Sequence, residues 1–275
     1  MPALLVTSRA NPRVKQLRAA FTGNARLSGG LVAIEGEHLL SEAIRAGLVL
    51  KTIFVCESRT PPPGLPRGVE LIELSAELFA SVADTQSPQG IAALLVPPTW
   101  TLEDALPAKP RTAPLLLIAA ALQDPGNLGT LIRSAEAFGV TGVLTTAGTV
   151  SPWNQKALRA SAGSVFRVPV VAVTPAEILM LKSRGMSLLA AVAPGSGPTD
   201  TRSPIPATDA NLVTPCAVMI GNEGAGLSAD LIALADSFIA IPMPGPVESL
   251  NAAIAGSLLL YEAARQRTSN LVPRT

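Results

Sequence analysis

One histidine, His38, and two cysteines, Cys56 and Cys216, are the only imidazole and thiolate ligands in 275 residues. A zinc site needs three or four such ligands, and a Ser-His-Asp triad needs a histidine placed beside its nucleophile. Both chemistries are disfavoured by composition alone, and no metal is expected. The cysteines lie singly in apolar runs, so there is no disulfide framework. Charge is also scarce: 15% of residues are charged and the net charge is +1. That argues against a polycationic nucleic-acid binder. No apolar run reaches the length of a membrane span; the densest, Leu115–Leu122, has the length of a buried strand. Residues 1–30 lack the long apolar core of a secretory signal. A cytoplasmic protein without membrane contact is the expectation.

What is present is apolar content of 48%, enough to build a core without metal or disulfide staples and too much for global disorder. The few charges are unevenly spread. No acidic residue precedes Glu35, whereas Arg9, Arg13, Lys15, Arg18 and Arg26 all fall in that stretch. A second acid-free stretch between Glu136 and Glu177 holds Lys156, Arg159 and Arg167. Local positive stretches attract phosphate even in a neutral chain, although a solvated basic helix face explains them equally well.

Residues 9–21 carry Val14, Leu17 and Phe21 at helical spacing and predict a basic amphipathic helix. Strand-like runs at Leu31–Ile34, Thr52–Cys56, Val69–Leu74 and Ile91–Val96, with helices near Glu37–Ala46 and Ala76–Ala83, predict a small α/β domain over residues 1–96. A Pro-rich linker follows at 97–112. From 113 to 275 strands and helices alternate. Strands are expected at Leu115–Ala121, Val143–Thr146, Val168–Val173, Leu188–Val192, Ala217–Ile220 and Phe238–Ile241. Helices are expected at Leu128–Phe138, Asn154–Ala162, Ala176–Ser183, Ser228–Ala235 and Ser249–Gln266, with an exposed loop at 194–215. This is the pattern of a parallel sheet covered by helices.

Three clusters in the second domain carry chemistry. The first runs from Leu122 through Asp124, Pro125, Gly126 and Asn127 to Arg133, at the carboxyl end of a strand. Its tight turn opens a helix whose first N–H groups lack intrahelical acceptors. The second, Ile220 to Ser228, places three glycines directly after a buried strand, where the backbone must turn sharply or approach a ligand. It is neither a dinucleotide fingerprint nor a P-loop. The third, Ile241 to Asn251, is stiffened by three prolines and runs into a helix that Ser249 is expected to cap.

Each cluster alone is ambiguous; their order and wording together resemble the three motifs of the SpoU (TrmH-type) methyltransferases of the SPOUT superfamily. Around them, Asn11–Lys15, Glu35–Leu39 and Ser87–Ile91 resemble the substrate-binding domain, similar to ribosomal protein L30e, that precedes the catalytic domain in many ribosomal-RNA members. The resemblance implies an α/β fold whose C-terminal part forms a trefoil knot, after a small L30e-like α/β domain. It implies S-adenosylmethionine as cofactor, a homodimer with the site near the subunit interface, and methyl transfer to a ribose 2′-oxygen, with ribosomal RNA as the partner. By motif position Gly221, Ile241 and Leu250 match cofactor contacts, as does Ala191, although it lacks the hydroxyl of the Thr often found there. Arg133 matches the catalytic arginine, and Asn127, Glu223, Ser249 and Asn251 the remaining polar positions. Glu223 is read equally well as a structural acceptor for loop N–H groups. Arg159 matches an arginine facing RNA phosphate, and Arg9, Arg13 and Lys15 join it through the acid-free start. A transfer-RNA enzyme of the same family and a non-catalytic RNA-binding protein are the alternatives.

Overall fold

The computed structural model describes residues 4–85, 87–106, 113–194 and 203–269; the last six residues of the expected linker and residues 195–202 of the loop expected at 194–215 lie outside them. The chain divides into two compact units, residues 1–99 with 153–167, and residues 100–152 with 168–275.

In the first unit, β1 (Leu4–Val6), β2 (Val32–Glu35), β3 (Leu50–Cys56), β4 (Glu70–Leu74) and β5 (Ile91–Leu95) form a mixed sheet in the order β1-β4-β3-β5-β2. β1, β4 and β3 run parallel, and β5 pairs antiparallel with β3 and β2. β5 is buried along its length, as its unbroken apolar run requires. α1 (Pro12–Phe21) starts at Asn11, whose side chain accepts from the Arg13 N–H, and buries Val14, Leu17 and Phe21 at the expected spacing. α2 (Ala25–Ser28), α3 (Glu37–Arg45) and α4 (Ala76–Val82) complete this part.

The second unit begins with α5 (Leu102–Ala105), a short helix closed by a Thr101–Asp104 capping box and lying where the sequence suggests only a linker. Then follow β6 (Leu115–Ala119), α6 (Pro125–Ala137) and β7 (Gly142–Thr145). α7 (Gln155–Ser161) and a 3-10 turn at Ser164–Phe166 belong to the first unit, although they lie within the sequence stretch of the second. Gln155 Nε2 donates to the Ala33 carbonyl at 2.8 Å, and Arg167 pairs at 2.6 Å with the buried carboxylate of Glu42. These contacts explain the segment's allegiance.

The remaining elements are β8 (Val170–Ala172), α8 (Pro175–Ser183), β9 (Ser187–Ala191), β10 (Ile205–Pro206), β11 (Cys216–Ile220), α9 (Ala229–Leu234), β12 (Ser237–Ala240) and α10 (Ala252–Ser269). All seven strands of the second sheet are parallel, in the order β10-β12-β9-β11-β6-β7-β8. β6 and β11 sit at its centre and are buried at every position. From β6 the chain moves outward through β7 and β8, then returns to the opposite side at β9. Open parallel sheets bind ligands outside the carboxyl ends of the strands where the direction of winding reverses. That place is the β6–β11 boundary, where the first two motifs emerge. α6 and α10 pack together beside it: a side chain at Gly256 would overlap Leu131, and Ser134 and Ser257 share a 2.7 Å hydrogen bond.

Candidate active site

At the carboxyl end of β6 the chain turns into α6. Asp124 caps the helix by accepting from the Asn127 N–H at 2.9 Å, with Pro125 in the first turn where its missing N–H costs nothing. The N–H groups of Gln123 and Asp124 both point to the carboxylate of Glu223, at 3.3 Å each. The Asn127 Nδ2 donates to the same carboxylate at 2.9 Å. The other end of that carboxamide, Oδ1, accepts from Asn251 Nδ2 at 3.1 Å. A chain of hydrogen bonds, Asn251 to Asn127 to Glu223, therefore ties together the three motifs, although 96 residues separate Asn127 from Glu223 and 124 separate it from Asn251. Glu223 is partly covered. Burial pushes its carboxyl up, but hydrogen bonds from Asn127, from its own backbone and from Gln123 and Asp124 outweigh that and hold it below the ordinary glutamate range.

Asn251 has a second task. Its Oδ1 accepts from the N–H groups of Ala253 and Ile254, so Asn251 rather than Ser249 caps α10. A short polar side chain serves either way, and the cap falls on the residue adjoining the first helical turn. Ser249 instead lines a cavity of about 880 Å³ that opens beside the hydrogen-bonded chain. Gly221, Ile241, Leu250 and Ala191 all line the same cavity, together with Glu223 and Asn251. Its inner wall includes Ile220, Leu227 and Leu259, the last fully buried. Gly221 has a structural reason to lack a side chain. A Cβ there would lie 2.6 Å from the Gly226 carbonyl oxygen and overlap the backbone at Leu227, because the second motif folds back on itself. The close approach at Gly221 is thus to the chain's own backbone. Sequence reasoning passed over Asn222, which lies on the cavity wall and is bonded to both loops.

Arg133 stands apart. It is exposed on α6, six residues and about 9 Å along the helix from Asn127. Among the described residues no carboxylate lies within ion-pair distance of it. The other basic candidates belong to the first unit. Arg9 pairs with Glu77 at 3.7 Å, Arg13 with Glu70 at 2.8 Å and Arg159 with Asp84 at 3.1 Å, while Lys15 is exposed with no carboxylate in range among the described residues. Exposed pairs of this kind are worth little and exchange readily for another anion.

A walled cavity at the carboxyl ends of a parallel sheet, joined to a fixed polar chain drawn from three separated motifs, is what the geometry provides. Residues 114–261 match the SpoU rRNA methylase family, and residues 11–93 match an MRM3-like substrate-binding domain. The chain belongs to the SpoU rRNA methylase family. Among its relatives, the 23S rRNA (guanosine(2553)-2'-O)-methyltransferase RlmP of Bacillus subtilis is 35% identical, with 93% of this chain and 97% of that protein covered. The 23S rRNA (uridine(2479)-2'-O)-methyltransferase of Streptomyces viridochromogenes is 31% identical over 98% of this chain and 95% of its own length. The crystal structure of the SpoU methyltransferase AviRb from Streptomyces viridochromogenes, in complex with AdoMet, superposes with a TM-score of 0.81 at 28% identity, covering 94% of this chain and 99% of that one. The SpoU similarity thus extends over both units.

A cavity of this volume suits a small cofactor of nucleoside size. Its wall fits S-adenosylmethionine in kind: an aliphatic lining for flat apolar surface, backbone polar groups at the glycine-rich second motif, and a carboxylate rather than a cation at the rim.

Proposed function

We infer that this SpoU family member transfers a methyl group from S-adenosylmethionine to a ribose 2′-hydroxyl of ribosomal RNA. The observation that carries this reading is the Asn251–Asn127–Glu223 chain, which ties the first motif to the second and third, the two that line the 880 Å³ cavity. Full-length similarity to two 23S rRNA 2′-O-methyltransferases supports the choice of RNA. Gly221, Ile241, Leu250 and Ala191 would hold the cofactor, which when bound supplies a methyl already activated on a sulfonium.

The protein's own share is orientation and electrostatics. Glu223 is a poor proton acceptor: a general base works best with a pKa near the operating pH, and Glu223 is held below the usual carboxylate range. Its task is to hold the start of α6 and the Asn127 amide. Asn127 and Asn251, each fixed at both ends of its carboxamide, present defined donors and acceptors to a ribose. A guanidinium offers only N–H donors and no acceptor, so Arg133 does not take up the proton. It orients an RNA phosphate and stabilises the alkoxide that develops as the 2′-proton leaves to water or to a phosphate oxygen. The first unit selects the RNA, with Arg9, Arg13, Lys15 and Arg159 exchanging carboxylate partners for phosphates.

A homodimer completes the site. α10 exposes Ile254, Leu258 and Tyr261 at helical spacing, an apolar stripe that starts at the Asn251 cap and suits a second copy. The knot implied by family resemblance accords with the convergence of the loops after β9, β11 and β12 on one cavity. Both cysteines are free and buried, which suits a reducing cytoplasm.

The test is methyl transfer from tritiated S-adenosylmethionine to purified ribosomal and transfer RNA, followed by mapping of alkali-resistant 2′-O-methyl positions. Label confined to ribosomal RNA is expected. Label on transfer RNA alone, or on a base, overturns the reading.

A further inference from the structure

Only two non-glycine residues among those described have a left-handed backbone, and one of them, Ala121 at φ 53°, lies between β6 and the first motif. An alanine avoids this region because its Cβ crowds the following carbonyl. Two side chains hold it there. Thr146 Oγ1 accepts from the Ala121 N–H at 3.1 Å, and Asn222 Nδ2 donates to the Ala121 carbonyl at 2.9 Å. The next residues are Leu122, fully buried, then Gln123 and Asp124, whose N–H groups meet Glu223. The conformation of Ala121 therefore sets the direction in which the chain enters the turn that carries Asn127 and Arg133.

Asn222 spends every polar atom on this arrangement. Its backbone exchanges two 2.9 Å hydrogen bonds with Gly226. Its Oδ1 accepts from the N–H groups of Gly224 and Ala225, at 2.9 and 3.0 Å. These two donors fix which end of the carboxamide is oxygen, so the nitrogen must face Ala121. One side chain thus shapes the second motif with its acceptor end and holds the first motif with its donor end.

We propose that Asn222 is a positioning residue for methyl transfer, clamping Ala121 in the left-handed conformation that aims the first motif at the substrate. The proposal rests on the methyltransferase reading for its kinetic consequence. An aspartate at 222 keeps both acceptor bonds and the backbone bridge but has no donor, and it sets a carboxylate oxygen against the Ala121 carbonyl. Thr146→Val removes the other half of the clamp at nearly constant shape. Glycine at 121 adopts a left-handed backbone without strain and needs no clamp.

The experiment compares wild type, Asn222→Asp, Thr146→Val, Ala121→Gly and the two double variants with Ala121→Gly. In Asn222→Asp, kcat is expected to fall about 100-fold, the size of effect that a misplacement near 1 Å produces. S-adenosylmethionine affinity by calorimetry should change far less than kcat, because the second motif keeps its internal bonds. Thr146→Val should share the kcat loss. Adding Ala121→Gly should restore about tenfold in either background. A clamp variant with near-native kcat, or double variants no faster than their single parents, overturns the proposal. If wild type methylates no RNA, the functional reading fails instead, and the clamp is judged on melting temperatures alone. Ala121→Gly must then recover stability lost in Asn222→Asp that it does not confer on wild type; strictly additive shifts overturn the clamp.

Discussion

Gly221 and Gly224 sit three residues apart in the same motif, and they should respond to alanine in opposite ways. At Gly221 a Cβ would lie 2.6 Å from the Gly226 carbonyl oxygen and nearer still to the Gly226 carbon and the Leu227 nitrogen. All three are backbone atoms, so no rotamer change relieves the overlap. The return strand of the loop must move, and it is held by the two Asn222–Gly226 backbone hydrogen bonds. Losing both costs about 2 kcal/mol at about 1 kcal/mol net each. For a unit of this size that lowers the melting temperature by roughly 4–8 °C. The same loop lines the cavity, so S-adenosylmethionine affinity should also fall. At Gly224 the Cβ would meet only Asn222 Oδ1, at 3.7 Å, an ordinary contact. Gly224→Ala should therefore be close to neutral in stability. Scanning calorimetry with and without cofactor reads both effects. A Gly221→Ala protein that melts and binds like wild type would refute the reasoning, as would equal damage from both substitutions.

Arg133→Ala should abolish methyl transfer while leaving cofactor affinity intact, since Arg133 lies off the cavity; Arg133→Lys should stay poor because a point charge does not reproduce the guanidinium fork. Near-native turnover of the lysine variant in a single-turnover assay would count against this. The carboxylate of Glu223 titrates below its ordinary value, so its stabilisation is complete above the unfolded value of about 4.3 and is lost as pH falls through the folded value. The stability gap between wild type and Glu223→Gln should narrow from neutral pH toward pH 3, and a gap that stays constant over that range sinks the argument. Leu258→Glu, in the middle of the exposed stripe of α10, should shift the protein toward monomer in analytical ultracentrifugation; an unchanged dimer would place the interface elsewhere.

The second sheet was legible because its central strands are unbroken apolar runs at a length too short for buried helices. Leu115–Ala119 and Cys216–Ile220 appear in the structure almost as the sequence predicts. β1 and β10 were not legible. They span three and two residues, and β10 is exposed and contains a proline, so neither carries a pattern long enough to detect. The allegiance of α7 was hidden for another reason. Its own sequence predicts a helix correctly, but Gln155 reaching the Ala33 carbonyl and Arg167 reaching Glu42 are pairings across more than 100 residues. Local propensity holds no information about them.

The site shows the same division at finer scale. Motif wording pointed to Asn127, Glu223 and Asn251, yet residue type alone left Glu223 balanced between a catalytic role and loop support. Its partners tip that balance: four hydrogen-bond donors converge on one carboxylate, three of them backbone N–H groups, and such a group resists protonation. The same consideration separates the two halves of Asn222. An asparagine that bonds backbone N–H groups two and three residues on is a familiar turn feature, so its acceptor half was open to sequence reasoning. Its donor half, directed at a carbonyl 101 residues away, was not. For the basic residues the limitation runs the other way. Arg9 and Arg13 look unopposed in an acid-free stretch, but the fold brings Glu77 and Glu70 to them. A local charge count measures the field of an extended chain, whereas the folded surface offers phosphate only what its own carboxylates leave over or readily release. On that ground Lys15 and Arg133, exposed and without ion-pair partners among the described residues, are the two of the proposed RNA-facing cations that would need to release no carboxylate first.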